Sequence, residues 1–153
     1  MAMSRFVYVT YIRATPEKLW RALIEPEFTR QYWVGTIQES EWKKGASWKM
    51  IAPDGRLTDS GEIIEIEPYK RLVFSWRNEF QPAVKAEGYS RCTYDLEETH
   101  GVVKLTVTHE MDIEDAQLIV GVSSGWPYIL ATLKSLLETG KAFEGSDKFP
   151  EGI

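Results

Sequence analysis

The chain has 153 residues, a net charge of −5 at pH 7 and an isoelectric point near 5.2. Hydrophobic residues make up 43% and charged residues 27%, the balance of one globular unit that buries its own core rather than of a disordered segment. The negative sign disfavours nucleic-acid backbones and anionic membrane surfaces, and Cys92 as the one cysteine excludes an internal disulfide and a cysteine-based zinc site.

The N-terminus, Met1 to Arg5, runs into a strand-like pattern with no apolar signal core. The longest apolar run, Leu118 to Val122, is far short of the roughly 20 residues a membrane helix needs. The expectation is a cytoplasmic protein with no membrane insertion, and a lone thiol suits that reducing compartment. Aromatic content is high, with six Trp, seven Tyr and six Phe. Such residues fill cores and also line pockets for small apolar ligands.

In chain order, Phe6 to Arg13 is β-branched and aromatic and reads as a strand. Thr15-Pro16-Glu17 opens a helix, with a capping hydroxyl, proline at the first position and an acid in the first turn. Leu19, Trp20, Leu23 and Ile24 share its apolar face. Pro26 interrupts it, and a second short helix is expected from about Glu27 to Trp33. Strands follow over Thr36 to Trp42, Gly45 to Ala52 and Thr58 to Glu67, with Pro53-Asp54-Gly55-Arg56 as a hairpin turn. Leu72, Phe74 and Trp76 line a fifth strand, and Asn78 to Glu87 reads as a polar loop. Tyr89 to Glu97 and Val102 to Met111 are the last two strands, joined by a turn at Glu98-Thr99-His100-Gly101. The period then changes to helical through Trp126, Ile129, Leu130, Leu133, Leu136 and Leu137. Ser124 reads as the cap of this helix, Pro127 as part of its first turn and Gly140 as its stop. Consecutive hairpins make the sheet antiparallel, and the terminal helix is the one long element available to cover its apolar face.

Two catalytic motifs fail on inspection. Gly121-Val122-Ser123-Ser124-Gly125 fits Gly-x-Ser-x-Gly, but no histidine follows it, so the nucleophile-elbow order is missing. His109-Glu110 begins a zinc-protease motif that Asp112 and Ile113 do not complete. With two histidines far apart, no metal is expected, and no phosphate-cradling glycine loop or dinucleotide fingerprint calls for a cofactor. Glu65 and Glu67 share a strand face opposite Ile64 and Ile66 and read as solvated.

The ordered set Ile12-Arg13-Ala14-Thr15-Pro16-Glu17-Lys18-Leu19-Trp20, Trp33, Gly45 with Trp48, Gly61-Glu62-Ile63-Ile64-Glu65-Ile66-Glu67-Pro68, Arg71 to Trp76, Val103 to His109 and Gly125-Trp126 resembles a known family. It is similar to the domain first defined by homology to the Hsp90 ATPase activator, within the START-like (Bet v 1-like, SRPBCC) superfamily. The resemblance spans about residues 6 to 138. It implies an α+β helix-grip fold: a curved antiparallel sheet of about seven strands wrapped around a long C-terminal helix, two short helices after the first strand, and a deep apolar cavity. Residues 1 to 153 are then one START-like domain with a polar, loose tail from about 142 to 153. The superfamily binds lipids, hormones and polyketides, and a few members catalyse reactions in the cavity.

Strand parity selects the inward residues. On the first strand both sets are partly apolar, and the charge on Arg13 favours Phe6, Tyr8, Thr10 and Ile12 as the inward one; Trp48 and Met50 face in on the third, and Ile64 and Ile66 on the fourth. Phe74 and Trp76 face in on the fifth strand, Cys92 and Tyr94 on the sixth, and Leu105, Val107 and His109 on the seventh. Trp126, Ile129, Leu130 and Leu133 of the helix complete the expected cavity lining. The leading reading is a binding protein for a small hydrophobic or lipid-like molecule. A cyclase- or hydrolase-like enzyme would use His109 as general base and Tyr94 as orienting donor, although no carboxylate is expected inside. A third reading is a chaperone-binding module. Monomer and homodimer are both open, and the expected His109 is neutral at pH 7 because burial lowers its pKa.

Overall fold

The computed structural model describes residues 3–151; residues 1–2, and residues 152–153 at the end of the expected tail, lie outside them. The order is β1 (Ser4–Ile12), α1 (Pro16–Ile24), α2 (Pro26–Tyr32), β2 (Ile37–Ser40), β3 (Ser47–Ile51), β4 (Leu57–Glu67), β5 (Arg71–Asn78), α3 (Pro82–Lys85), β6 (Ser90–Thr99), β7 (Val102–Met111) and α4 (Gln117–Thr139). The strands form one antiparallel sheet in the order β1-β7-β6-β5-β4-β3-β2. The long helix α4 crosses the inner face against β1 and β7 and touches α2. This is the expected α+β helix-grip architecture.

Local chemistry accounts for the two short helices. The Thr15 hydroxyl accepts from the Lys18 N–H at 3.1 Å and Pro16 occupies the first helical position of α1. Glu25, preceding Pro26, is extended (φ −85, ψ 135), as a residue before proline prefers. One chain segment is thereby folded into two helices with a bend between them.

Across the sheet, β1, β5, β6 and β7 keep the predicted parity. Phe6, His109, Cys92 and Phe74 are register partners in sequence across four strands, and Tyr8, Val107, Tyr94 and Leu72 form the next row. Val7, Val9 and Tyr11 point away from the core and are exposed. The expectation for β4 is corrected. A β-bulge between Ile63 and Glu65 inserts one residue, so Ile63 is buried and Ile64 sits on the outer side, while Ile66 still packs against the core. A bulge reverses which residues face in on its far side. Gly61 lies just before it, where an added Cβ would stand 1.8 Å from the Ser75 carbonyl oxygen; only glycine permits this approach of the two strands.

The start of α4 is a second correction. It begins at Gln117, seven residues before the expected cap at Ser124. Both Glu87 carboxylate oxygens accept its first amides, from Gln117 at 2.7 Å and Leu118 at 3.1 Å. The Ser123 and Ser124 hydroxyls donate back to the Val120 and Gly121 carbonyls inside the helix, and Pro127 lies within it. Gly140 ends it in the left-handed conformation, φ 84. The segment beyond, expected to be loose, folds back: the Ser146 hydroxyl donates to the Gln31 carbonyl at 2.8 Å, and the Val34 N–H donates to the Ser146 carbonyl at 2.7 Å.

Candidate functional site

Six aromatic side chains fill the space between sheet and α4: Trp33 after α2, Trp48 from β3, Phe74 and Trp76 from β5, Tyr94 from β6 and Trp126 from α4. Ring centroids lie 4.8 Å apart for Trp48–Phe74, 5.0 Å for Trp48–Trp76, 5.3 Å for Trp33–Trp126 and 5.5 Å for Phe74–Tyr94. The pairs are tilted or edge-on, the geometry that aligns ring edges with ring faces.

Each polar atom on these rings needs a partner once buried. The Trp48 indole donates to Gln38 Oε1 at 2.8 Å, and Gln38 in turn donates to the Leu23 carbonyl at 2.8 Å. The Trp126 indole donates to His109 Nδ1 at 3.2 Å. An indole N–H only donates, so Nδ1 is the unprotonated nitrogen and Nε2 carries the hydrogen. Nε2–H then donates to Ser90 Oγ at 2.7 Å, and Ser90 donates onward to the Trp76 carbonyl at 2.9 Å. Burial holds the His109 pKa down to about 3. The imidazole is inward, neutral and bonded at both nitrogens, so it has no free lone pair to serve as a base. The Tyr94 hydroxyl is fully buried and meets no partner in the protein; burial pushes its pKa well above the ordinary value.

Sequence reasoning missed the inward carboxylate. The parity reversal at the β4 bulge turns Asp59 to the inner face, opposite Met50 of β3 and Asn78 of β5. It is 7% exposed, and its Oδ2 accepts from the Trp76 indole at 2.7 Å. Burial pushes its pKa up to about 6, against the opposing hydrogen bond of Trp76, and the charge on Glu79 adds to the rise. Glu79 itself is held by Arg77 at 2.7 Å, Lys85 at 3.1 Å and Ser60 at 2.7 Å, which lower its pKa to about 2 with the Arg77 bond first. The signal in the sequence was the pair Ile63-Ile64 two residues after Gly61, since an alternating strand cannot bury both neighbours.

Three adjoining recesses open around the Trp76 ring. One of about 230 Å³ lies between Asp59, Asn78, Phe80 and Val84 on one side and Gln117, Leu118 and Val122 of α4 on the other. A second of about 190 Å³ is bounded by Trp33, Met50, Asp59, Phe80 and Phe149. The third, about 90 Å³, lies between Trp33, Val122, Trp126 and Ile129. Larger crevices of about 330 Å³ lie beside Arg30 and Pro53 and over Arg91 and Glu110; both are away from the aromatic cluster. Val34, at the rim of the second recess, has φ 46, an unusual conformation for a β-branched residue.

The structure thus divides the expected cavity residues. Trp76, Trp126, Ile129 and Met50 border these recesses. Trp48, Phe74, Cys92, Tyr94, Leu105, Val107, His109, Leu130 and Leu133 are buried in the core, Ile66 packs at its margin, and Ile64 borders the crevice over Arg91. Among the described residues no cluster of histidine, cysteine or carboxylate side chains is placed to hold a metal, and no helix is long and apolar enough to cross a membrane.

The sequence profile described as "Activator of Hsp90 ATPase homolog 1-like protein" matches residues 13–138. A Mesorhizobium loti crystal structure superposes with a TM-score of 0.73 at 26% identity, covering 88% of this chain and 96% of the other. A Cytophaga hutchinsonii solution structure gives 0.69 at 26% identity, with coverage of 92% and 97%. The solution structure of the Aha1 dimer from Colwellia psychrerythraea gives 0.74 at 20% identity, with coverage of 92% and 100%, a likeness of fold. No curated protein matches the chain.

Proposed function

Since the chain belongs to the Activator of Hsp90 ATPase homolog 1-like family and has its helix-grip fold, we propose that it binds a small, largely apolar molecule at the recesses around Trp76. The observation that carries this reading is their convergence: three hollows share one indole, and two of them share a buried carboxylate. Apolar walls with one placed polar group are the usual make-up of a small-ligand pocket. A ligand entering here would stack on Trp76, Trp33 and Phe80 and meet Asp59 at its polar end.

The test is binding of the neutral dye N-phenyl-1-naphthylamine, read by its fluorescence. Val122→Trp, on the helix face bordering two of the recesses, should abolish binding in a protein that stays folded. Undiminished dye binding in that variant would defeat the proposal.

The family description supports a second reading, contact with an Hsp90-type ATPase. It is tested by the effect of the purified chain on that ATPase rate; no change at saturating protein would end it. A base-catalysed reaction at His109 is the weakest reading, because both ring nitrogens are occupied.

A further inference from the structure

Building on the reading of Trp76 as the centre of a ligand site, we propose that the site selects an organic cation: an apolar molecule with an ammonium head seated between the Asp59 carboxylate and the faces of Trp33, Trp76, Phe80 and Phe149.

The first ground is an uncompensated charge. Buried carboxylates are ordinarily paired with a cation. Asp59 receives a hydrogen bond from the neutral Trp76 indole, and among the described residues no lysine, arginine or histidine forms an ion pair with it. The neighbouring cations are spoken for. Arg77 and Lys85 both bind Glu79, and Arg56 binds Asp54 at 2.9 Å. A neutral alcohol would add one more neutral donor and leave the charge as it is, whereas an ammonium head cancels it.

The second ground is the lining. The recess of about 190 Å³ that contains Asp59 also contains Trp33, Trp76, Phe80 and Phe149. Its volume is roughly six times that of one water in the liquid. Aromatic faces carry negative charge density, and several around one hollow, with a carboxylate at its side, form the arrangement that recognises quaternary and protonated amines. Phe149 already attracts a cation on one face: the Arg56 guanidinium lies 5.5 Å from its centroid. The field of the whole chain, net −5, draws cations rather than anions toward the opening.

The experiment compares two probes of one shape that differ by one charge, phenyltrimethylammonium and tert-butylbenzene. Affinities are read from tryptophan fluorescence and from the indole N–H resonance of Trp76. We expect the cation to bind at least about tenfold more tightly, with added salt weakening the cation only. Asp59→Asn keeps an oxygen acceptor for the Trp76 indole and should bring the two affinities together while leaving tert-butylbenzene unchanged. Trp33→Leu keeps the carboxylate and removes one aromatic face; it should lower cation affinity and serves as the readout if Asp59→Asn does not fold. Equal or tighter binding of tert-butylbenzene to the unaltered protein overturns the cation proposal and leaves the apolar site standing. The same holds if cation affinity is unaltered in Asp59→Asn, or in Trp33→Leu where that variant serves as the readout. Binding of neither probe removes both.

Discussion

Two tryptophan indoles in this protein donate to two buried titratable side chains, and the two ends of one aromatic cluster put that shared bond to different use. At one end Trp126 meets His109, which passes its own hydrogen to Ser90 and thence to the Trp76 carbonyl. Burial favours the neutral imidazole, and the ring, neutral at pH 7, has both nitrogens bonded. At the other end Trp76 meets Asp59. Burial favours the neutral acid there too, but a pKa of about 6 leaves the group ionised at pH 7, beside open space and without a counter-ion. The same interaction, an indole N–H on a buried acceptor, completes a structural network in one place and leaves chemical capacity in the other. A chain whose stability rests on the first can carry the cost of the second.

The largest effect is expected at the closed end. Trp48→Ala would remove a fully buried ring that contacts Phe74 and Trp76 and would strand Gln38 Oε1 without its donor. A loss of about 5 kcal/mol is expected from the cavity and the orphaned acceptor together, read by urea unfolding at pH 7. A loss under about 2 kcal/mol would mean that the aromatic cluster is looser than its contacts imply.

Much of this division was legible beforehand. The inward sets on β5, β6 and β7 follow from polar residues alternating with apolar ones, that on β1, apolar on both faces, from the charge on Arg13 alone, and the bend at Pro26 and the stop at Gly140 from backbone chemistry. What escaped was long-range. Glu87 caps a helix that starts thirty positions later, a partnership no local pattern encodes, so Ser124 looked like the better cap. Gln38 lies on a strand too short to show alternation. The bulge at Ile64 reversed the parity of β4 and concealed Asp59, the one carboxylate of the site. Closed, regular structure is what periodicity reports; the open end is built from its exceptions.

The pH dependence of stability separates the two ends. The His109 pKa falls from 6.5 in the unfolded chain to about 3 in the fold, so the unfolded state binds the extra proton. Its contribution is therefore complete above pH 6.5 and is lost as pH drops toward 3. Asp59 runs the opposite way: with its pKa raised from 3.8 to about 6, the folded state binds the extra proton, and stability falls as pH rises across that window. His109→Gln can replace one of the two histidine hydrogen bonds, so it should cost about 2 kcal/mol at pH 7 and flatten the acid limb. Asp59→Asn should gain stability at pH 7, by at most about 3 kcal/mol, and gain nothing below pH 3.8. Chemical denaturation from about pH 3.5 to about pH 7.5 checks both. A gain that persists at the acid end of that range would show that the buried charge is not its source.

Glu87→Ala tests whether the open end depends on a cap contributed from the loop before β6. The carboxylate bonds two of the first amides of α4 and places negative charge at the helix N-terminus. Removing it should cost about 1 kcal/mol, with faster amide exchange confined to the first turn of α4. That turn borders the 230 Å³ recess through Gln117 and Leu118, so probe affinity there should fall while the His109 network keeps its resonances. Exchange spreading to Leu130 and Leu133 would mean that the two ends unfold as one unit.

Tyr94→Phe is expected to give the smallest change, and in the unusual direction. Tyr94 sits within the closed end, its ring 5.5 Å from Phe74 and 6.0 Å from Trp126, and its hydroxyl is the one buried side-chain polar atom without a partner among the described residues. Removing that oxygen keeps both ring contacts and relieves the cost of an unpaired buried hydroxyl, so stability should be unchanged or higher by up to about 1 kcal/mol. The same variant should bind phenyltrimethylammonium as the unaltered protein does, because Tyr94 does not border the recess that contains Asp59. A stability loss above about 1 kcal/mol would show that the hydroxyl is hydrogen-bonded in solution. A loss of probe affinity would extend the binding site inward past Trp126, and the boundary drawn between the two ends would have to move.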